Sequence, residues 1–123
     1  MVLDKEFYLV PEDVFRVGNS STPRLHMVRP SEVDTTELNG VRIVIANGRG
    51  ISVYTKTELQ KTTLTGWVWK FNAHTILPAG LKLVNDKPGH YCIAPVHNMP
   101  VDLYKGLLEQ MGMKAQKAWV KTA

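Results

Sequence analysis

A mixed α+β domain of short strands closed by a C-terminal helix is the fold class this chain predicts, on three observations. Val41-Arg42-Ile43-Val44-Ile45-Ala46 and Gly66-Trp67-Val68-Trp69-Lys70-Phe71 carry β-branched or aromatic residues at alternate positions, the period of a strand. Val101, Tyr104, Leu108 and Met111 instead recur at helical spacing behind Pro100, a residue suited to the first position of a helix. Turn formers, such as those from Gly18 to Pro23 and from Asn85 to Gly89, punctuate the chain at short intervals. With 123 residues there is material for one modest core, so a single domain over residues 1–123 is expected.

Taken in order, Val14-Phe15-Arg16-Val17 reads as a short strand with Arg16 near its end, and Leu25-His26-Met27-Val28 as a second extended piece. Pro30 and Ser31 introduce an expected short helix running to about Leu38, with Glu32 and Asp34 suiting its N-terminus and Asn39-Gly40 turning the chain after it. The run Val41 to Ala46, the Asn47-Gly48 turn and Ile51-Ser52-Val53-Tyr54 predict a hairpin or near-hairpin. Thr55 to Thr62 fits a short helix capped by Thr55 or Thr57. The Ile76-to-Gly80 turn leads into a strand Leu81–Val84, and a tight loop leads into His90–Ala94. The final helix is expected to end at Gly112 as its cap, and the lysines from Lys105 to Lys121 to lie on a solvated helix face.

Composition narrows the function classes. Hydrophobic residues make up 44% and charged residues 21%, as in ordinary globular proteins. No apolar run approaches the roughly 20 residues of a membrane helix, and Met1-Val2-Leu3-Asp4-Lys5-Glu6 lacks the basic-then-apolar layout of an export signal. No membrane association is expected. The net charge of +4 suits an anionic partner: RNA, a dinucleotide or an acidic protein. Cys92, the one cysteine, lies in an apolar stretch and reads as a buried inert thiol rather than a nucleophile.

Asn47-Gly48-Arg49-Gly50-Ile51-Ser52-Val53-Tyr54 stands out because it puts a hydroxyl into an apolar strand behind two glycines. The segment lacks the third glycine and the helix of a dinucleotide fingerprint. Ser52 has no strand-to-helix elbow of the kind a hydrolase nucleophile needs. The histidines His26, His74, His90 and His97 lack zinc-site spacing, and no metal is expected. Two of them, His90 and His97, offer acid-base chemistry for a metal-independent ribonuclease. Trp67 and Trp69 fit either base stacking or core. A non-enzymatic binding or inhibitor module is a further reading.

Phe15-Arg16, Gly50-Ile51-Ser52-Val53-Tyr54, Leu77-Pro78-Ala79-Gly80-Leu81-Lys82 and Gly89-His90-Tyr91-Cys92-Ile93-Ala94-Pro95, in that order, resemble the small antibacterial toxins of type VI secretion with an ADP-ribosyltransferase-like fold. The resemblance is clearest from about Gly48 to Met111. It implies a split β-sandwich of short strands with flanking helices. It also implies a toxin that uses NAD as substrate, is neutralised in its producer's cytoplasm by an immunity protein, and is delivered into a target cell's cytoplasm to modify an acceptor. Carried over residue by residue, Arg16, Gly50 and Ser52 are the expected NAD-binding positions, and Ser52 and His90 the expected catalytic ones. The Glu-x-Glu pair of larger ADP-ribosyltransferases is missing from this chain.

Overall fold

The computed structural model describes residues 5–122. Strands β1 (Lys5–Phe7), β2 (Val14–Gly18), β3 (Thr35–Leu38), β4 (Val41–Val44) and β5 (Ile51–Tyr54) precede a short helix α1 (Lys56–Gln60). Strands β6 (Gly66–Phe71), β7 (Leu81–Lys87), β8 (His90–Pro95) and β9 (Met99–Pro100) follow, then helix α2 (Val101–Gly112) and a last strand β10 (Gln116–Lys121). Seven strands form one antiparallel sheet in the order β1-β7-β8-β5-β2-β6-β10, and three form a second in the order β3-β4-β9. The result is the expected α+β class, mostly antiparallel strands with two helices. Among the described residues no helix is long and apolar enough to cross a membrane.

The large sheet is nearly divided in two. β5 pairs with β8 along its whole length, from Ile51↔Ile93 to Tyr54↔His90, and β2 pairs with β6 from Val14↔Phe71 to Gly18↔Trp67. Between β2 and β5, however, the register holds only the single pair Phe15↔Tyr54. Beyond that pair the two strands part, and the side chain of Arg16 bridges the gap to the Ser52 carbonyl.

Strand alternation sorts the sheet's two faces. Val14, Ile51, Val53, Phe71, Leu83 and Ile93 join Tyr104, Leu108 and Met111 of α2, and Val44 and Met99 of the small sheet, in the main core. Each fully buried side chain of this size contributes about 1.5–3 kcal/mol relative to exposure. On the opposite face Phe15, Leu59 and Val68 form a smaller cluster beneath α1, with Tyr54 and Trp119 packed against it. Helix α1 starts where Thr55 accepts from the Glu58 N–H at 3.4 Å, the expected cap.

Five expectations are corrected. No helix spans residues 31–38. Thr35 and Thr36 are β-branched and open β3, while Asn39 (φ 51°) and Gly40 (φ 79°) form the doubly positive two-residue loop that joins β3 to β4 in a hairpin. Leu25–Val28 is not a strand either, but part of a looping segment with Leu25 buried. The runs on either side of Asn47-Gly48 do not pair with each other: β4 belongs to the small sheet and β5 to the large one. Lys114, Lys117 and Lys121 of the basic tail are not on a helix face, because the chain leaves α2 after Gly112 and Ala118-Trp119-Val120 carries it into β10 along β6. Gly112 itself is the last helical residue rather than a positive-φ cap, and Met113 in the right-handed region closes the helix. A Cβ at Gly112 would stand 3.3 Å from Pro23 Cγ.

Candidate active site

A cleft of about 590 Å³ opens where β2 parts from β5, within the usual range of roughly 300–1,000 Å³ for small-molecule sites. Its sides come from Arg16 to Gly18 on β2, Ser52 and Tyr54 on β5, the segment between Arg24 and Glu32, and Lys105 of α2. That segment, Arg24-Leu25-His26-Met27-Val28-Arg29-Pro30-Ser31-Glu32, is irregular backbone anchored by Leu25 and Val33 in the core. Loops fixed to a rigid frame in this way commonly carry binding groups. Arg24 adopts φ 58° there, a left-handed conformation that costs a residue with a Cβ about 1–2 kcal/mol.

Charge in the cleft is lopsided. Arg16, Arg24, Arg29 and Lys105 line it, against Glu32 as the one carboxylate among the lining residues. Arg16 Nη1 donates to the Ser52 carbonyl at 2.8 Å and stands 3.8 Å from Glu32 Oε2; both charged side chains are only 14% exposed. Burial lowers the pKa of Arg16, and the Glu32 charge offsets part of that effect. Glu32 Oε1 also accepts the Arg29 N–H at 3.2 Å. Arg16 Nε is buried and has no hydrogen-bond partner among the described residues. An unpaired buried donor costs about 1–3 kcal/mol, so this guanidinium is held in place at the expense of one of its donors.

The four residues expected at the site are not gathered in one place. Arg16 and Ser52 meet at the cleft, but their hydrogen bond uses the Ser52 backbone carbonyl. Gly50 does not line the cleft; a Cβ there would stand 2.0 Å from the Ile93 carbonyl oxygen, so this glycine lets β5 lie close against β8. His90 is buried behind Tyr54, with ring centroids 5.1 Å apart in an edge-on arrangement, and only Tyr54 of the two borders the cleft. His90 opens β8 and His97 lies past its far end, with about 17 Å of strand rise between His90 and Pro95. They cannot act together on one phosphate.

The sequence reading missed Glu32, His26, Arg24, Arg29 and Lys105 as cleft residues. A charged segment held between Pro23 and Pro30, rather than any spacing motif, was the available signal. It also missed the partners of His90. Nδ1 of that ring lies 2.5 Å from Asp86 Oδ1, and Cys92 Sγ lies 4.0 Å from Asp86 Oδ2. The expected inert thiol is indeed buried, and burial first, then the Asp86 charge, pushes its pKa up to about 11. Trp67 and Trp69 are half-buried rather than core: Lys117 Nζ sits 4.5 Å from the Trp67 ring centroid, and Trp69 Nε1 donates to the Asn19 carbonyl at 2.8 Å.

A small antiparallel α+β frame with a basic cleft holding one part-buried arginine–carboxylate pair is the class of site this chain builds. The model of the Tse2 ADP-ribosyltransferase toxin family matches residues 10–119, and the chain belongs to that family. It is therefore a toxin-family protein whose family activity is ADP-ribosyl transfer. No curated protein and no solved structure matches it significantly.

Proposed function

We propose that the chain transfers ADP-ribose from NAD to an acceptor in a target cell's cytoplasm, with the cleft between β2 and β5 as its active site. The observation that carries this reading is the part-buried pair Arg16–Glu32 in a cleft whose other charged residues are cations. The splay of β2 from β5 supports the ADP-ribosyltransferase-like split sandwich for the single domain over residues 1–123.

Arg16, Arg24, Arg29 and Lys105, the cations that line the cleft, suit the diphosphate. The Ser52 hydroxyl braces the nicotinamide ribose. Glu32 supplies the carboxylate that no Glu-x-Glu pair provides. When the C1′–N bond breaks, its electron pair leaves with nicotinamide, and the positive charge developing at C1′ is stabilised by the Glu32 carboxylate. The acceptor's nucleophile then bonds to C1′, and its proton passes to Glu32 and on to water. His90 acts on the cleft through Tyr54. The reading assigns no step to a metal. Delivery by type VI secretion and neutralisation by an immunity protein in the producer's cytoplasm complete it.

The test is nicotinamide release from NAD by the purified protein, with target-cell lysate supplying acceptors. Wild type is expected to release nicotinamide, and Glu32→Gln to do so roughly 10²–10⁴-fold more slowly while still binding NAD. A wild type that neither binds nor consumes NAD sinks the reading. Cleavage of total RNA in the absence of NAD would move the basic cleft to the ribonuclease reading instead.

A further inference from the structure

On the opposite side of Tyr54 from the cleft, the β7–β8 hairpin gathers three metal-ligating groups of three different kinds. We infer that Asp86, His90 and Cys92 form a binding site for a zinc-class divalent cation. Their ligand atoms, a carboxylate oxygen, a ring nitrogen and a sulfur, all lie within 4.8 Å of one another.

The hairpin builds this group. Cys92 and His90 sit two residues apart on β8 and so point to one face. The register slips between Asn85 and Lys87, which leaves Asp86 as the extra residue opposite His90, with its carboxylate turned to the same face. Asn85 Nδ2 fixes the bulged turn by donating to the Lys87 and His90 carbonyls, both at 2.8 Å. Gly89 closes the turn at φ 74°, where a Cβ would meet Glu58 Cβ and Thr55 Oγ1 at 2.9 Å.

An aspartate–histidine hydrogen bond alone accounts for two of these residues. It does not account for a buried thiol turned toward the same carboxylate. The donor set selects the metal: sulfur and imidazole favour zinc and its neighbours over magnesium or calcium, which take oxygen ligands. A tetrahedral zinc needs N···O and S···O separations of about 3.3 and 3.6 Å. His90 Nδ1 lies 2.5 Å from Asp86 Oδ1 and Cys92 Sγ 4.0 Å from the other oxygen, Oδ2, so seating the ion requires the carboxylate to turn one oxygen toward both partners and to part from the His90 ring. Three protein ligands leave the fourth position to water. Because His90 packs on Tyr54 and Ser52 is the β5 partner of Cys92, a bound ion would stiffen the wall of the cleft from behind.

The experiment uses the full chain without a histidine tag, stripped with chelator and titrated with cobalt(II) and then zinc(II). Wild type should bind one ion per chain, and the cobalt form should show the near-ultraviolet thiolate-to-cobalt charge-transfer band. Zinc should raise the melting temperature. Cys92→Ser should abolish the band, and both Cys92→Ser and the solvent-facing Asp86→Asn should weaken zinc by more than the roughly 10–100-fold that loss of an outer-shell partner costs. Asp86→Asn keeps the test decisive if Cys92→Ser fails to fold. Absence of the charge-transfer band in wild type, or unchanged zinc affinity in Asp86→Asn, overturns the site. Neither result bears on NAD consumption, which is read separately.

Discussion

Arg16 Nη1 reaches the Ser52 carbonyl oxygen at 2.8 Å, across 36 positions of sequence and across the gap where β2 leaves β5. The bond replaces the ladder that the two strands abandon after Phe15↔Tyr54. One guanidinium thus closes the sheet's split on one side and faces Glu32 on the other. Its planar fork of donors suits that double task, which a single ammonium does not.

Arg16→Lys should therefore separate charge from geometry. The lysine keeps the positive charge but cannot hold both the Ser52 carbonyl and Glu32. Loss of a buried charged hydrogen bond should cost about 1–3 kcal/mol of stability, and NAD affinity should fall about tenfold or more, the equivalent of at least one such bond. Urea unfolding and calorimetric NAD titration check the two effects. Wild-type NAD affinity in the lysine variant would remove Arg16 from the binding site.

Ser52→Ala leaves the backbone carbonyl in place, so the bond to Arg16 should survive. Stability should change by no more than about 0.5–1 kcal/mol, as for a half-buried substitution without a partner lost. Any loss of toxicity then belongs to the hydroxyl. Toxicity equal to wild type in cells expressing the variant would leave Ser52 contributing its carbonyl alone.

Gly50 and Gly48 flank Arg49 but do different things. At Gly50 a Cβ would stand 2.0 Å from the Ile93 oxygen and 2.6 Å from its carbon, so β5 and β8 must part. Gly50→Ala should cost about 3 kcal/mol or more, at the upper end of overpacking changes. At Gly48 the space is open and only its φ of 87° resists a side chain, so Gly48→Ala should cost about 1–2 kcal/mol. Denaturant midpoints of the two variants compare them directly, and an alanine tolerated equally at both positions would refute the close-packing role.

What the sequence disclosed follows from the range of the interactions involved. β2, β6, β8 and α2 were readable because side-chain periodicity within each segment decides which face is buried, as Tyr104, Leu108 and Met111 show. β3 was misread because Pro30, Glu32 and Asp34 mimic a helix start, although the Asn39-Gly40 pair is the stronger hairpin signal. β10 was hidden because its lysines find hydrogen-bond acceptors far away in sequence: Lys121 Nζ donates to the Thr62 and Leu64 carbonyls, and Lys117 Nζ to that of Ser20. The site was half legible. Arg16 and Ser52 both border the cleft, whereas Glu32 reaches it only through a loop whose path is set by Leu25 and Val33 entering the core.

That same loop is tied down from outside by Asp34. Its carboxylate accepts Asn47 Nδ2 at 2.6 Å and Arg49 Nη1 at 2.7 Å, while Arg49 also donates to the Ser31 carbonyl at 2.5 Å. These contacts, the Asn47 bond foremost and the Arg49 bond next, hold the Asp34 pKa below its ordinary value. The sign follows: a depressed folded-state value means the contribution is fully present above the ordinary aspartate pKa near 3.9, and disappears as pH falls through the folded value. The stability difference between wild type and Asp34→Asn should accordingly be present at about pH 5 and shrink toward zero by about pH 2. High salt should reduce it at pH 5, since both partners in the Arg49 pair are half exposed. Urea midpoints measured across that range decide the matter: a difference independent of pH would show that the carboxylate's charge does not hold the loop, and that the asparagine preserves everything that matters there.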